Sequence, residues 1–291
     1  LLLARELSTA QFALLTLLVA LNTLGYYLAP LGLDGVVIRG RVDVGRALLK
    51  RAAVVATAVR AAMSVIASLV YGLSAEMALL LLAGTAAGGL MLVASARFQS
   101  EQRFVISLAL VLSPNLVLLL GAVATMLAGS RTAALPFEIL TVGLGLAAGL
   151  GWALVLRGGR GSSAAAATVP WNEALVLAGV SAAGMLFVQL ERLVIPHVLS
   201  VADLALFGVL GAIAGSIFRL LQMGVGFSLL PRLRAAATIV ERRQLIAREL
   251  RFAFVIAALG SAAILALTPL IERWLLAGKY HLSMAVLIAA V

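Results

Sequence analysis

Two arginines interrupt stretches of the chain that are otherwise almost entirely apolar. Arg60 lies nine residues beyond Arg51, which is about 13 Å along a helix that rises 1.5 Å per residue. Arg219 lies sixteen residues after Asp203 and twelve before Pro231. An arginine near the bilayer centre costs about 2.5–3.5 kcal/mol on insertion scales, so such residues usually face a bundle interior or a wet cavity. Because a guanidinium binds phosphate through two parallel hydrogen bonds, we expect an anionic, phosphate-bearing substrate.

The positions of the acidic residues support the same expectation. All twelve Asp and Glu residues lie towards the ends of the apolar stretches, and none lies in the middle of one. A carrier of organic cations, or one driven by protons or sodium through a buried carboxylate, is expected to place an acid there. Ser216 and Gln222 lie three residues on either side of Arg219, on the same helix face. We predict three substrate-binding residues, Arg219, Arg60 and Gln222; the alternative is that the arginines snorkel or bond to neighbouring helices.

Other polar residues in or beside the apolar stretches are further candidates. We predict two more substrate contacts, Gln189 and Asn22, and three residues of a gate or cavity rim, Glu191, Arg192 and Asp34. Alternatives stay open for each group. The cluster at Gln189 is also typical of a charged helix end at the membrane surface, and an asparagine inside a span often makes a helix-packing hydrogen bond.

The composition indicates a membrane protein and excludes several kinds of chemistry. Of the 291 residues, 63% are hydrophobic and 12% are charged, whereas a soluble domain carries about 25% charged residues. The chain has no cysteine and only two histidines, far apart, so we expect no metal site and no cofactor. Neither a phosphate-binding loop nor a nucleophile–base arrangement is present. We expect neither an enzyme nor a nucleic-acid-binding protein.

Eight apolar stretches are long enough to cross a bilayer, at roughly 20 residues per crossing. They run at 10–33, 52–72, 77–96, 104–128, 136–156, 174–190, 203–230 and 252–271. The short apolar runs at 1–4 and 282–291 indicate the end of one helix and the start of another, so we expect a chain truncated at both ends. The sequence therefore predicts an all-α polytopic transmembrane bundle of which about nine spans are covered.

The basic residues alternate between the two sides of this bundle. Counting the leading run as the first span, the loops after even-numbered spans hold fifteen Lys and Arg residues and the others hold five. Because cytoplasmic loops attract Lys and Arg, the side with fifteen is predicted to be cytoplasmic. Six of the fifteen lie between 232 and 251, where a basic amphipathic helix on the anionic inner leaflet is expected.

An internal repeat and a glycine-rich connector indicate two lobes. Seven of fourteen positions are identical when 7–20 is aligned with 199–212, an offset of 192. This alignment places the second span on the eighth, and an even separation predicts parallel repeats about an axis along the membrane normal. We expect two pseudo-symmetric six-helix lobes: an N-terminal lobe at 1–156, a cytoplasmic linker at 157–173 and an incomplete C-terminal lobe at 174–291.

Two regions carry a family resemblance. The run from Leu3 to Phe12, with 29–34 (APLGLD), resembles the first and second spans of polysaccharide flippases. These are the O-antigen-type exporters of the multidrug/oligosaccharidyl-lipid/polysaccharide superfamily. The segment 189–196 (QLERLVIP), with 206–208 (LFG) and 230–233 (LPRL), is similar to their seventh and eighth spans. The resemblance implies two six-helix lobes that alternate access. It also implies export of an undecaprenyl-pyrophosphate-linked glycan from the cytoplasmic to the periplasmic leaflet of the bacterial inner membrane.

On this basis the expected function is flipping of a lipid-linked anionic oligosaccharide, with membrane lipids as the other partner and the coupling ion left open. The first alternative is a multidrug or organic-ion antiporter of the same superfamily, which predicts a membrane carboxylate. The second is an integral-membrane glycosyltransferase or polymerase, which predicts a long outer loop with catalytic acids, whereas the outer loops here have at most about a dozen residues.

Overall fold

The computed structural model describes residues 1–158, 168–215 and 238–290, and all regular structure in these ranges is helical. The described ranges contain eleven helices. They are α1 (Leu2–Glu6), α2 (Thr9–Leu28), α3 (Leu33–Ile38), α4 (Arg46–Tyr71), α5 (Ala75–Ser100), α6 (Phe104–Ala128), α7 (Ala134–Gly158), α8 (Trp171–Val198), α9 (Val201–Gly215), α10 (Ile239–Trp274) and α11 (Met284–Ala290).

Seven of these helices are long and apolar enough to cross a membrane, namely α2, α4, α5, α6, α7, α8 and α10. Each corresponds to one of the eight predicted spans. The remaining one, predicted at 203–230, is described only as far as Gly215, as the apolar helix α9. The chain is a multi-pass helical membrane bundle, and the predicted fold class is confirmed.

The span predicted at 10–33 is shorter than expected. Helix α2 ends at Leu28 rather than continuing to Leu33. The C-cap residue Ala29 is followed by Pro30, which cannot continue a helix. Leu31 and Gly32 then have φ angles of 44° and 78°, which turn the chain away from the helix axis. The separate helix α3 then begins at Leu33. We call the end of each span that the charge distribution predicts to be cytoplasmic its inner end, and the opposite end its outer end. The inner end of this span is therefore a turn and a short helix.

Helix α10 is longer than the predicted span, because it includes most of the expected amphipathic segment. Its 36 residues begin at a capping box, in which Thr238 accepts from the Glu241 backbone N–H and the Glu241 side chain accepts from the Thr238 N–H. At 1.5 Å per residue, the 36 residues span about 54 Å, beyond the ~30 Å hydrocarbon core. The basic first turns, which carry Arg242 and Arg243, thus belong to the same continuous helix as the span.

Helix α5 forms the centre of the N-terminal half, with α2, α4, α6 and α7 packed around it. Small residues bring its neighbours close: a Cβ atom at Gly88 would lie 2.5 Å from the Tyr26 Cβ of α2. The indole Nε1 of Trp152 in α7 donates to the Leu90 carbonyl of α5 at 2.9 Å. On its other side, α5 shares a buried hydroxyl pair with α6, where Ser95 and Ser107 Oγ are 2.8 Å apart.

The two repeated segments have matching structural features. Ser8 caps α2 by accepting from the Gln11 N–H, and Ser200 accepts from the Asp203 N–H at the start of α9. The two helices also pack on each other at equivalent positions, because a Cβ atom at Gly208 would lie 2.6 Å from Thr16 Oγ1. These two residues are separated by the offset of the repeat, 192. Contact between equivalent positions is what a two-fold axis between α2 and α9 produces.

Candidate functional site

Arg60 lies near the middle of α4, which runs from Arg46 to Tyr71. Ala56 and Ser64, one turn before and one turn after it, are both buried, so Arg60 shares the inward side of the helix. Its own side chain is half-buried. No hydrogen bond or ion pair joins it to another residue of the described chain. A guanidinium with five donors at this depth requires water or a ligand as partner.

Arg60 belongs to a row of hydrophilic side chains that runs the length of α4. We call this row the polar face of α4; the separations along it are multiples of one or two helical turns. Its members are Arg46, Lys50, Thr57, Arg60, Ser64, Ser68 and Tyr71. Of this row only Arg60 was predicted as a functional residue, although the spacing of three, four or seven residues between its members is visible in the sequence.

The outer end of this polar face is covered by neighbouring helices. Tyr71 Oη donates to the Leu193 carbonyl of α8 at 3.0 Å, and its ring centroid lies 5.0 Å from that of His197. Ser64 Oγ donates to the Ala78 carbonyl of α5 at 2.7 Å. The outer ends of α4 and α8 are thus held together.

The inner end of α8 contacts a different helix, α3. A Cβ atom at Gly32 would lie 1.9 Å from the Ala174 carbonyl oxygen, and one at Gly35 would lie 2.8 Å from Leu177 Cδ1. Arg39 Nη1 and Glu173 Oε1 form an ion pair at 2.8 Å across the same contact. Helix α8 therefore passes across α2, from α3 at the inner end to α4 at the outer end. We call the whole line of contacts that α8 makes, from α3 at its inner end to α4 at its outer end, the seam.

Asp34, predicted as a rim residue, lies at the inner end of the seam, in the first turn of α3. Its side chain is half-buried beside the α3–α8 contact. Burial raises the pKa of the carboxyl group above its usual value, and hydrogen bonds from the backbone N–H groups of Gly35 and Asp34 oppose this only in part.

Gln189 and Arg192 contact each other between α8 and α9. Arg192 Nη1 donates to Gln189 Oε1 at 3.0 Å, and Gln189 is only 5% exposed. The guanidinium lies against α9, since a Cβ atom at Gly211 would be 2.9 Å from its Nη2. Glu191 is exposed, and no ion pair joins it to a residue in the described ranges. In this conformation Arg192, the basic residue of the predicted Glu191–Arg192 rim pair, donates a hydrogen bond to the side-chain amide oxygen of Gln189.

Asn22 faces α5 in the core of the N-terminal half. It is 1% exposed, and its Oδ1 lies against Gly84, where a Cβ atom would be 2.6 Å away. Thr85 Oγ1 is placed in the same way against Gly25 of α2. Neither oxygen has a hydrogen-bond partner among the described residues. In this conformation Asn22 is a helix-packing residue.

Two predicted substrate contacts, Arg219 and Gln222, lie outside the described residues. Of the predicted residues that the structure describes, Arg60 lies near the middle of α4, Asp34 lies in the first turn of α3, and the Gln189–Arg192 pair lies beside α9.

A second contact closes the outer side of the molecule. The segment between α10 and α11 packs on the α1–α2 turn, where Lys279 Nζ donates to the Ala4 carbonyl at 3.1 Å and also to the Leu7 carbonyl. Tyr280 is buried against Phe12, with ring centroids 6.2 Å apart. Burial lowers the pKa of Lys279, and the nearby Glu6 carboxylate partly opposes this. The first and last described helices are joined on this side.

Comparison of the chain with family models, with curated proteins and with solved structures finds no match. Within the described ranges, no group of three or more His, Cys, Asp or Glu side chains is placed to hold a metal ion.

Proposed function

We propose that this chain exports a polyprenyl-pyrophosphate-linked oligosaccharide across the bacterial cytoplasmic membrane by alternating access, for the synthesis of a cell-surface polysaccharide. The observation that carries the proposal is Arg60: a half-buried guanidinium at the middle of a spanning helix, with no partner among the described residues. Two oxygens of a phosphate group would accept two parallel hydrogen bonds from its N–H groups.

The charge distribution supports an anionic cargo. No Asp or Glu lies near the middle of a span in the sequence, so no carboxylate is placed there to bind a cation. The cytoplasmic side, by contrast, carries the excess of arginines. This distribution favours the flippase over a multidrug antiporter of the same superfamily, which would place a carboxylate in the membrane.

The proposal is tested by replacing Arg60 in the full-length protein and measuring both surface polysaccharide and binding of a synthetic polyprenyl pyrophosphate. We expect Arg60→Ala to weaken binding about 10- to 100-fold, since a hydrogen bond to a charged group contributes about 1.5–3 kcal/mol. Arg60→Lys should retain part of the affinity, because an ammonium keeps the charge and loses the paired donors.

The matched control is Arg131→Ala, which removes an exposed arginine in the turn between α6 and α7. This variant should bind and export as the unchanged protein does. Wild-type polysaccharide from Arg60→Ala, at an equal amount of protein in the membrane, would remove the proposed role. Efflux of organic cations, unaffected by the Arg60 variant, would favour the antiporter instead.

A further inference from the structure

The polar face of α4 lies beside a strongly apolar face of the same helix. Val54, Val65 and Leu69 are 71%, 57% and 81% exposed, and as apolar side chains on the outside of a spanning helix they suit contact with lipid. Around the helix axis they lie about a quarter of a turn or more from the centre of the polar face, on the side away from α5. One helix thus presents hydrocarbon and a row of polar and basic groups along adjacent lines.

Exposure along the polar face decreases from the cytoplasmic end as far as Ser64. Arg46, Lys50 and Thr57 are exposed, Arg60 is half-buried and Ser64 is buried. The contacts of Tyr71 with α8 close the outer end, whereas the inner end of α8 is held on α3. The guanidinium of Arg60 has no hydrogen-bond or ion-pair partner among the described residues, and burying such a group without a partner is costly. We therefore infer that water reaches it from the cytoplasmic side.

We propose that the polar face of α4 is the path by which the phosphate headgroup of an amphiphilic lipid moves from the inner leaflet to Arg60. Lys50 and Arg46 make the first contacts at the cytoplasmic end. The hydrocarbon chain stays in the bilayer along the adjacent apolar face, so the headgroup travels without drawing its tail into the protein. This inference rests on the proposed function and adds the route that the lipid headgroup takes along the protein.

The absence of cysteine from the sequence allows a direct test of the path by single-cysteine labelling. Ala53→Cys and Thr57→Cys place a thiol on the polar side, and the controls Val54→Cys and Ala58→Cys, each one residue further along α4, place one on the exposed apolar side at matching depths. A charged, membrane-impermeant thiol reagent is applied to inside-out and to right-side-out vesicles that contain the full-length protein.

We expect the two polar-side thiols to react at least about tenfold faster than the controls, because a charged reagent is excluded from hydrocarbon. The reaction should occur from the cytoplasmic side. Equal rates at all four positions, or faster reaction from the outer side, would overturn the path. Neither outcome depends on export, so a failure here is distinguishable from a failure of the Arg60 export test.

The ligand is tested by protection of Thr57→Cys with geranylgeranyl pyrophosphate, inorganic pyrophosphate or geranylgeraniol. We expect the prenyl pyrophosphate to slow labelling, the alcohol to have no effect and pyrophosphate to act only at much higher concentration. Lys50→Gln should weaken this protection and Arg157→Gln, at the inner end of α7, should not. Equal protection by inorganic pyrophosphate would show that the ligand is a soluble anion and not a lipid, which would overturn the proposal. Protection by none of the three probes would overturn the assignment of the path to a phosphate headgroup.

Discussion

Glycine residues set the distance between α2 and α5 at the scale of single residues. Gly84 accommodates Asn22 Oδ1 and Gly25 accommodates Thr85 Oγ1, so each helix supplies one glycine and one polar side chain. The same small-residue spacing occurs in α7 at Gly145 and Gly149, yet no heavy atom outside their own helix lies within 4 Å of a Cβ atom built there. The spacing alone does not distinguish a packed pair from an open one.

We expect Gly84→Ala to destabilise the protein by about 1–3 kcal/mol, the usual cost of overfilling a packed contact. The new methyl group would lie 2.6 Å from Asn22 Oδ1, so the two helices must separate. Thermal unfolding in detergent measures the effect. Adding Asn22→Ala to Gly84→Ala should recover part of the loss, because the two sites are coupled.

The matched control is Gly145→Ala, at an exposed position in the same half. It should be neutral or stabilise by up to about 1 kcal/mol, since alanine favours a helix over glycine. If both variants unfold at the same temperature, the close approach of α2 and α5 is wrong.

The turn between α2 and α3 fixes the inner end of α8 at the scale of elements. Gly32 has a φ of 78°, in the left-handed region, and a Cβ atom there would lie 1.9 Å from the Ala174 carbonyl oxygen. The position therefore requires glycine for two independent reasons. The Arg39–Glu173 ion pair beside it is half-exposed, and such pairs contribute at most about 1 kcal/mol, so the backbone contact is the larger constraint.

Comparison of Gly32→Ala with Gly40→Ala separates these two reasons. Gly40 has a similar φ of 67°, but no heavy atom lies within 4 Å of its Cβ position. Gly40→Ala should cost only the left-handed backbone penalty, about 1–2 kcal/mol, and Gly32→Ala should cost distinctly more. Unfolding temperature and yield of folded protein measure both. Equal losses would show that α8 does not press on this turn.

The contacts on the two sides of the bundle determine the conformation at the scale of the whole molecule. On the outer side, Tyr71 contacts α8 and Lys279 binds the α1–α2 turn. On the inner side, α8 is held by α3, and the polar face of α4 is exposed. The end of α4 that carries Tyr71 is therefore closed in the described molecule, and the alternating access that we propose would require this contact to open.

Cross-linking tests this closure in the cysteine-free chain. We expect Tyr71→Cys with His197→Cys to join through a short bifunctional thiol reagent, since the two native rings are centred 5.0 Å apart. The cross-link should abolish export, and cleavage of a reducible linker should restore it. Full export by a completely cross-linked protein would contradict opening at this contact. Each single variant treated with the reagent serves as the control.

Much of the architecture follows from the sequence because hydrocarbon leaves few solutions for a backbone. Seven predicted spans correspond to long apolar helices, since a segment in lipid must satisfy its own backbone hydrogen bonds. The limits of α2 and α10 differ from prediction because turn geometry at Leu31 and Gly32 and a capping box at Thr238 decide them. The central position of Arg60 in its helix was also predicted correctly.

The sequence by itself determined that the chain is a multi-pass helical membrane protein and that its central charges are positive. Only tertiary packing decided which neighbouring group each polar residue contacts. Asn22 and Arg60 are both polar residues within spans, but the first lies against a glycine of α5 and the second has no partner among the described residues. The physical reason is that apolarity is a property of a segment, whereas a partner is supplied by a neighbouring helix that is distant in sequence.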